Sequence, residues 1–223
     1  MRSRIQFSLL FLLVANLFAA TRTVKTDGSG DYTSIQAAID ASSSGDTILV
    51  YAGTYTENID YGGKNVVVGS LYMTTSDTSY ISSTIIDGGG TKTTVLFNTS
   101  ETSSAILCGF TVQNGIATKG VNEDPRIGDH WSGAGITVLS GTSPTIKYCI
   151  ISNNNGSGIR IAKKWNETST VSAIIDNCLI SNNNVIYDQN DSRGATVSMG
   201  GAIALDYNGY TGSSGDDPTA IVY

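Results

Sequence analysis

The chain is poor in residues that many functional sites depend on. Among 223 residues there are one histidine, three cysteines, three prolines, and 13 lysines and arginines against 19 aspartates and glutamates. The acidic balance argues against a nucleic-acid partner, because little would neutralise the phosphates. One histidine and no Cys-x-x-Cys spacing argue against a zinc site. An odd number of cysteines does not fit a disulfide framework.

Small polar residues are abundant instead. Serine and threonine total 53, glycine 25 and asparagine 16, with β-branched residues between them. Helix-forming residues are scarce, so this composition is typical of many short strands joined by turns, and an all-α fold is excluded. The 40% of apolar residues is enough for a core, which excludes a wholly disordered chain.

The first 20 residues have the order of a secretory signal peptide. Residues 1–4 are basic, residues 5–18 are almost wholly apolar, and Ala19 and Ala20 are small residues suited to cleavage. The apolar run is too short to span a bilayer comfortably, and no second run follows it. We therefore predict a secreted or cell-surface protein without a transmembrane segment after signal removal. The expected division is 1–20 signal peptide, 21–70 N-terminal cap and first strands, and 71–223 solenoid coils.

Three segments begin with a cysteine and share an apolar third residue and an asparagine at the seventh position. They cover residues 108–115, 149–156 and 178–185. Set in register, Cys108, Cys149 and Cys178 stack as reduced, buried core residues, with a redox or metal-binding thiol row as the alternative. The asparagines of the same register form a ladder of amides along the stack. They are Asn114, Asn155 and Asn184.

A second unit recurs between these segments, and its spacing gives the length of the repeat. Ile136 and Ile159 are 23 residues apart, and Ile159 and Ile203 are 44 apart. A coil of about 23 residues with loops inserted at fixed corners explains both values, which indicates a solenoid. Apolar residues alternate within each unit, so the elements are strands with no helix inside the coil. The extra residues fall in loops at 116–132, 162–170 and 185–199.

The segment before the first coil predicts a helix. Thr33-Ser-Ile-Gln36 has the form of a capping box, and Ile35, Ala38 and Ile39 then lie on one helical face. We expect a short amphipathic helix over residues 34–41. Because a solenoid must cover its open apolar end, this helix is interpreted as a cap.

Two stretches resemble a known family. Residues 27–40 followed by 45–55 look like the opening of pectin methylesterases and of many secreted bacterial β-helix proteins. Residues 143–154 and 156–159 resemble the repeat of the pectate-lyase-like superfamily. The resemblance implies an all-β, right-handed parallel β-helix of bacterial origin. The catalytic segments of pectin methylesterases and polygalacturonases are absent, so it implies a fold without an activity.

Candidate site residues lie mainly in the inserted loops, where solenoids usually carry their sites. Aromatic rings suit stacking on sugars, and cations suit acidic sugars. The candidates for substrate binding are Arg126, Trp131, Lys163, Lys164, Trp165 and Arg193. The catalytic candidates are Asp129, His130 and the outward-facing Arg160. Asp188 and Asp191 are candidates for Ca²⁺, and no other cofactor is expected. In the alternative interpretation the loops pack back on the coil and their charges are solvated.

The sequence leaves three functions open, and it does not decide whether the protein is an enzyme. The first is a non-catalytic, monomeric module that binds polysaccharide or a cell-surface glycan. The second is a polysaccharide lyase or hydrolase with catalytic residues partly beyond the present C-terminus. The third is a structural or adhesin stalk. Residues 219–223 align with residues 172–176, which predicts a fragment that stops inside a coil.

Overall fold

A computed structural model describes most of the chain from Ala19 onward. The described residues are 19–120, 130–131, 133–139, 141–163, 169–184, 187–188, 197–198, 202–207 and 219–222. They form an all-β structure with few helices, and none of the helices among them is long and apolar enough to cross a membrane.

The elements are short. In the first half of the chain they are β1 (Thr21–Val24), α1 (Ile35–Asp40), β2 (Thr47–Val50), β3 (Gly53–Thr56), β4 (Ile59–Asp60), β5 (Val67–Ser70), α2 (Tyr72–Thr75), α3 (Ser79–Ser83), β6 (Thr84–Asp87), β7 (Val95–Phe97), β8 (Ile106–Cys108) and β9 (Thr111–Gln113). In the second half they are β10 (Lys119–Gly120), β11 (His130–Trp131), β12 (Ile136–Leu139), β13 (Thr145–Lys147), β14 (Ile150–Ser152), β15 (Ile159–Lys163), β16 (Ser172–Asp176), β17 (Leu179–Ser181), β18 (Tyr187–Asp188), β19 (Val197–Ser198), β20 (Ile203–Tyr207) and β21 (Thr219–Val222).

Three parallel sheets organise these strands. Sheet A contains β1, β2, β5, β8, β13, β16 and β21, sheet B contains β3, β6, β9, β14 and β17, and sheet C contains β4, β7, β12, β15 and β20. From β2 onward the chain visits sheets A, B and C in turn, and we call each such pass a coil. Coils 1 to 5 begin at β2, β5, β8, β13 and β16. The arrangement is consistent with a parallel β-solenoid.

The register within sheet C agrees with the spacing read from the sequence. Ile136 pairs with Ile159, and Ile159 pairs with Ile203. These isoleucines face inward, and in the middle coils they are fully buried. Thr219 pairs with Ser172, as the alignment of the last segment predicted. The alternation of apolar residues therefore identified the inner face of the strands in these coils.

The predicted stacking of the three cysteines is wrong for the first of them. Cys108 pairs with Lys147 in sheet A, and the register of sheet B puts Phe110 beside Cys149. Cys178 follows Cys149 in the next coil, as predicted. The inward row is therefore Phe110, Cys149 and Cys178. Cys108 is also buried, but it does not belong to the hydrophobic core cluster. A slip of two residues preserves the alternation of a strand, so the pattern did not exclude it.

The amide ladder is also displaced from its predicted position. Asn154 Nδ2 donates to Asn183 Oδ1 at 2.9 Å, and Asn154 Oδ1 accepts from the Gly115 amide at 2.8 Å. Asn114 instead aligns with Asn153, the residue before Asn154, and has a left-handed φ of 54°. Asn184 Nδ2 reaches Asn155 Oδ1 at 3.5 Å. The ladder stabilises the corner between sheets B and C, one residue away from where the sequence placed it.

Helix α1 lies over the first coil, as the sequence predicted. Its N-cap is Ser34 rather than Thr33, and the Ser34 hydroxyl accepts from the Ala37 amide at 3.2 Å. The face formed by Ile35, Ala38 and Ile39 is buried in the core. The helix therefore covers apolar surface that the first coil would otherwise expose.

Two further helices were not expected, because the sequence predicted no helix inside a coil. Helices α2 and α3 lie in coil 2, between β5 in sheet A and β6 in sheet B. Helix α3 packs against β6 and β9, and the Thr111 hydroxyl donates to the Ile81 carbonyl at 2.9 Å. This insertion covers part of the outer surface of sheet B.

Candidate functional site

Two hairpins stand at the corner where the chain passes from sheet B to sheet C. In coil 3, β10 pairs antiparallel with β11 between β9 and β12. In coil 5, β18 pairs antiparallel with β19 between β17 and β20. In coil 4 the same corner is only residues 153–158. The two insertions therefore flank a short corner, and their coils are separated by two strand spacings, about 10 Å.

Arg160 lies on the outer face of sheet C, next to the first hairpin. It pairs with Thr137 in β12 and with Ala204 in β20, while its neighbours Ile159 and Ile161 are in the core. This is the outward position that the sequence predicted. The side chain is nevertheless only 5% exposed. Arg160 is thus covered, although it is outside the core of the coil.

The chain returning from the first hairpin crosses over Arg160 at Gly133, two residues after Trp131. A Cβ atom at Gly133 would lie 2.6 Å from Arg160 Cβ and 2.9 Å from the Ile136 carbonyl oxygen. Such distances are shorter than real Cβ contacts, so glycine is needed for this close approach. Two residues of chain span at most about 7 Å, which keeps the backbone of Trp131 near Arg160.

Two threonine hydroxyls fix the same return point. Thr93 Oγ1 donates to the Gly133 carbonyl, and Thr137 Oγ1 lies 3.3 Å from that oxygen. The two hydroxyls are 3.2 Å apart, and both threonines are buried. These residues belong to coils 2 and 3, so adjacent coils together anchor the base of the hairpin. No sequence motif identifies these two threonines, and the only signal for them is the register of sheet C.

The predicted site residues fall into three groups. Arg126, Asp129, Lys164, Trp165, Asp191 and Arg193 lie outside the described residues. For three others the structure describes the strand to which each belongs, namely β11 for His130 and Trp131 and β18 for Asp188. Arg160 and Lys163 are both on β15, and both are buried. The structure places Arg160 against Gly133, two residues after β11.

The register of the first hairpin adds one residue that the sequence analysis missed. Lys119 is opposite Trp131, and Gly120 is opposite His130. Lys119 is separated from Trp131 by 12 residues along the chain, so only the pairing of β10 with β11 brings the two positions together. An internal antiparallel pairing inside a predicted loop was the signal that could have identified it.

The thiols do not form a reactive row. All three cysteines are free, with Cys108 and Cys149 buried and Cys178 half-buried rather than fully buried. Burial raises the pKa of the Cys149 thiol well above its usual range, and burial also raises the pKa of Cys108. A hydrogen bond with Cys149 lowers the pKa of the Cys178 thiol. This pattern fits packing residues better than thiolate ligands or nucleophiles.

Among the residues that the structure describes, no group of three or more His, Cys, Asp or Glu side chains could hold a metal ion. The two calcium candidates are not tested by this, because Asp191 lies outside the described residues and only the strand of Asp188 is described. Calcium binding at these two positions stays a prediction.

A scan against protein-family models finds no match for this chain, and a search of curated proteins finds none either. These comparisons therefore name no family for the chain. The structure supplies short strands in stacked parallel sheets, which are compatible with a β-helix.

Proposed function

We propose that the protein is a secreted, right-handed parallel β-helix of the pectate-lyase-like type that binds acidic extracellular polysaccharide. The observation that carries the proposal is the position of the two hairpins, which lie at the same corner in coils 3 and 5 on either side of the short corner of coil 4. Projections that flank a recessed surface are a common way for a solenoid to bind an extended chain.

The chemistry of the first hairpin supports an acidic sugar. Its paired positions combine a lysine with a tryptophan, Lys119 and Trp131. Aromatic rings stack on the apolar faces of sugars, and an ammonium group pairs with a uronate carboxylate. The net charge of the protein is −6, so the attraction must be local and will weaken as salt is added.

The burial of Arg160 favours a binding function over a lyase. A guanidinium that neutralises a uronate during β-elimination has to reach the substrate, but Arg160 is covered where the hairpin returns at Gly133. Arg160 is instead in a position to support the base of the hairpin.

The experiment that tests the proposal is isothermal titration of the chain lacking residues 1–19 with polygalacturonate, alginate and neutral dextran. We expect binding to an acidic polymer and weaker or no binding to dextran. Replacing Trp131 or Lys119 with alanine should each weaken binding by about fivefold or more, which corresponds to about 1 kcal/mol.

Two matched variants control for surface changes elsewhere. Lys147→Ala changes a lysine on sheet A, and Tyr80→Ala changes an aromatic residue on α3, both away from the hairpin corner. Both should bind as the unchanged protein does. Absence of binding to every polymer would leave the stalk as the better function. Release of unsaturated oligosaccharides, followed by ultraviolet absorbance, would support the lyase instead.

A further inference from the structure

The parallel ladder of sheet A begins one residue before β1, at Ala20. The Thr47 amide donates to the Ala20 carbonyl at 2.8 Å, in continuation of the pairing of Thr21 with Thr47. The Ala20 amide nitrogen donates to Asp46 Oδ1 at 2.7 Å. Ala20 is therefore held through both its backbone groups, although it is exposed to solvent like Ala19.

Asp46 is a preorganised anion at this position. Its Oδ2 accepts from the Ser43 amide at 2.9 Å and from Arg22 Nη1 at 2.5 Å, which leaves Oδ1 to Ala20. The residue is only 5% exposed. The backbone amides of Ala20 and then of Ser43 hold the pKa of this carboxyl below its ordinary value. A carboxylate in such a site binds a cationic donor more strongly than a neutral amide.

We propose that signal peptidase cleaves the precursor between Ala19 and Ala20, and that Asp46 then binds the new α-ammonium group of Ala20. Water adds to the Ala19 carbonyl carbon and the Ala19–Ala20 C–N bond breaks. The hydroxyl stays on Ala19 as a carboxylic acid, and the Ala20 nitrogen leaves as an amine that takes up a proton at neutral pH. The proposal rests on the secretion included in the proposed function.

The cut lies one residue earlier than the sequence predicts. Both cuts leave an alanine immediately before the scissile bond, and the residue two places further back is Leu17 or Phe18, so the sequence does not separate them. Cleavage after Ala20 would remove the Ala20 carbonyl from the ladder and the donor from Asp46. Cleavage before Ala20 keeps both interactions and adds a positive charge to the second.

The charged groups near the new N-terminus favour the protonated α-ammonium form of Ala20 over the neutral amine. Asp46 contacts it directly, and Asp31 lies on the turn after β1, where it accepts from Thr23. Arg22 opposes the charge but is paired with the other oxygen of Asp46. Helix α1, which packs against β1, ends at Asp40, and Lys64 Nζ donates to the Asp40 carbonyl at 2.6 Å, so a carboxylate and an ammonium oppose each other at that end. The direct contact with Asp46 should raise the pKa of the α-ammonium above its ordinary range of about 7.7–8.0.

The first test is the N-terminal sequence and intact mass of the protein exported by a bacterial host. We expect Ala20 as the first residue. A mature chain beginning at Thr21, or at any other residue, overturns the proposal. If the chain stays in the cell with residues 1–19 attached, secretion has failed. That outcome contradicts the secretion included in the proposed function and, with it, the cleavage proposed here.

The second test does not depend on export. A chain beginning at Ala20 is released from a fusion protein and compared with the same chain carrying an Nα-acetyl group. Because the folded pKa of the ammonium is raised, its contribution is complete below about pH 7.7 and disappears as pH rises through the folded pKa. The free chain should melt about 2–4 °C higher near pH 7, and the difference should vanish in alkali.

Variants of Asp46 and of a distant carboxylate complete this test. In Asp46→Asn the effect of acetylation should disappear, whereas Asp77→Asn, at the start of α3, should leave it unchanged. If Asp46→Asn does not fold, the comparison of free and acetylated chains still decides the question. Identical pH profiles for those two chains contradict the binding of the ammonium by Asp46.

Discussion

The first coil and the last described coil present their apolar surface differently. Over coil 1, α1 buries Ile35 and Ile39 in the core. In coil 5, Leu205 is 51% exposed although it pairs with Ile161, which is fully buried in coil 4. The same inward position is thus buried or exposed according to whether something packs on its far side. Burial in this architecture belongs to the stack of neighbours and not to the residue alone.

Truncating an inward leucine in the middle coils and in coil 5 tests this comparison most strongly. Leu107→Ala should lower the free energy of unfolding by about 2–5 kcal/mol, because it leaves a cavity between coils. Leu205→Ala should cost less than about 1 kcal/mol, because half of that side chain already contacts water. Urea unfolding of both variants measures the difference. Equal losses would mean that position in the stack does not govern burial.

The attachment of α1 gives the next largest effect. Glu57 accepts hydrogen bonds from the Ser34 hydroxyl at 2.7 Å and from the Ile35 and Gln36 amides at 2.9 Å each, so it binds the N-terminus of the helix. Glu57→Ala should cost about 1.5–3 kcal/mol, the usual range for hydrogen bonds to a charged group. Hydrogen exchange should show that the amides of α1 lose protection first.

Glu57→Gln is the matched control for this variant, because it keeps one acceptor oxygen without the charge. Its loss of stability should lie between those of the unchanged protein and of Glu57→Ala. Lys64 binds the other end of α1, through the Ile39 carbonyl at 2.8 Å and the Asp40 carbonyl at 2.6 Å. If neither Glu57 variant changes the exchange of α1, the helix is held by its buried apolar face alone.

Asp46, which binds the start of the first strand, should also make the free energy of unfolding depend on pH in the acidic range. The amides of Ala20 and Ser43 hold the pKa of Asp46 below its ordinary value. Because this pKa is lower in the folded protein than in the unfolded chain, the stabilisation of the fold by Asp46 is complete above about pH 4. It is lost as pH falls through the folded pKa. Thermal unfolding should therefore show Asp46→Asn destabilised at pH 7 and less so at pH 3, relative to the unchanged protein. An equal difference at both values would contradict this assignment.

How far the sequence predicted the fold depended on how local each signal was. The helix α1 has its cap and its apolar face within eight residues, and it was predicted almost correctly. The register of Ile136 and Ile159 was also correct, because the pass of chain between these two positions contains only short corners and no inserted hairpin. Cys108 was misplaced because a two-residue slip keeps the alternation. The left-handed corner after it, at Gly109, has Tyr148 as its counterpart in coil 4, and tyrosine is an unusual residue for that conformation.

The candidate site was less predictable for a physical reason. The sequence placed Arg160 on the outer face of sheet C, and this position is correct. Whether a solvent-side residue is open or covered depends on where an insertion returns to the coil. Here the return is at Gly133, held by Thr93 and Thr137 from two different coils. No pattern within a single repeat contains that information.

The smallest expected effect separates backbone strain from burial. Asn153 in coil 4 and Asn182 in coil 5 both have left-handed φ values, 57° and 54°, at the same corner. Alanine at either position should cost up to about 1–2 kcal/mol, because it lacks the polar side chain whose local hydrogen bonds let asparagine tolerate the left-handed conformation. Glycine at either position should be nearly neutral, since it adopts this conformation without strain. Unlike the leucine pair, the two alanine variants should therefore lose similar stability in urea unfolding. A much larger loss for Asn153→Ala than for Asn182→Ala would show that the corner depends on the coils around it as well.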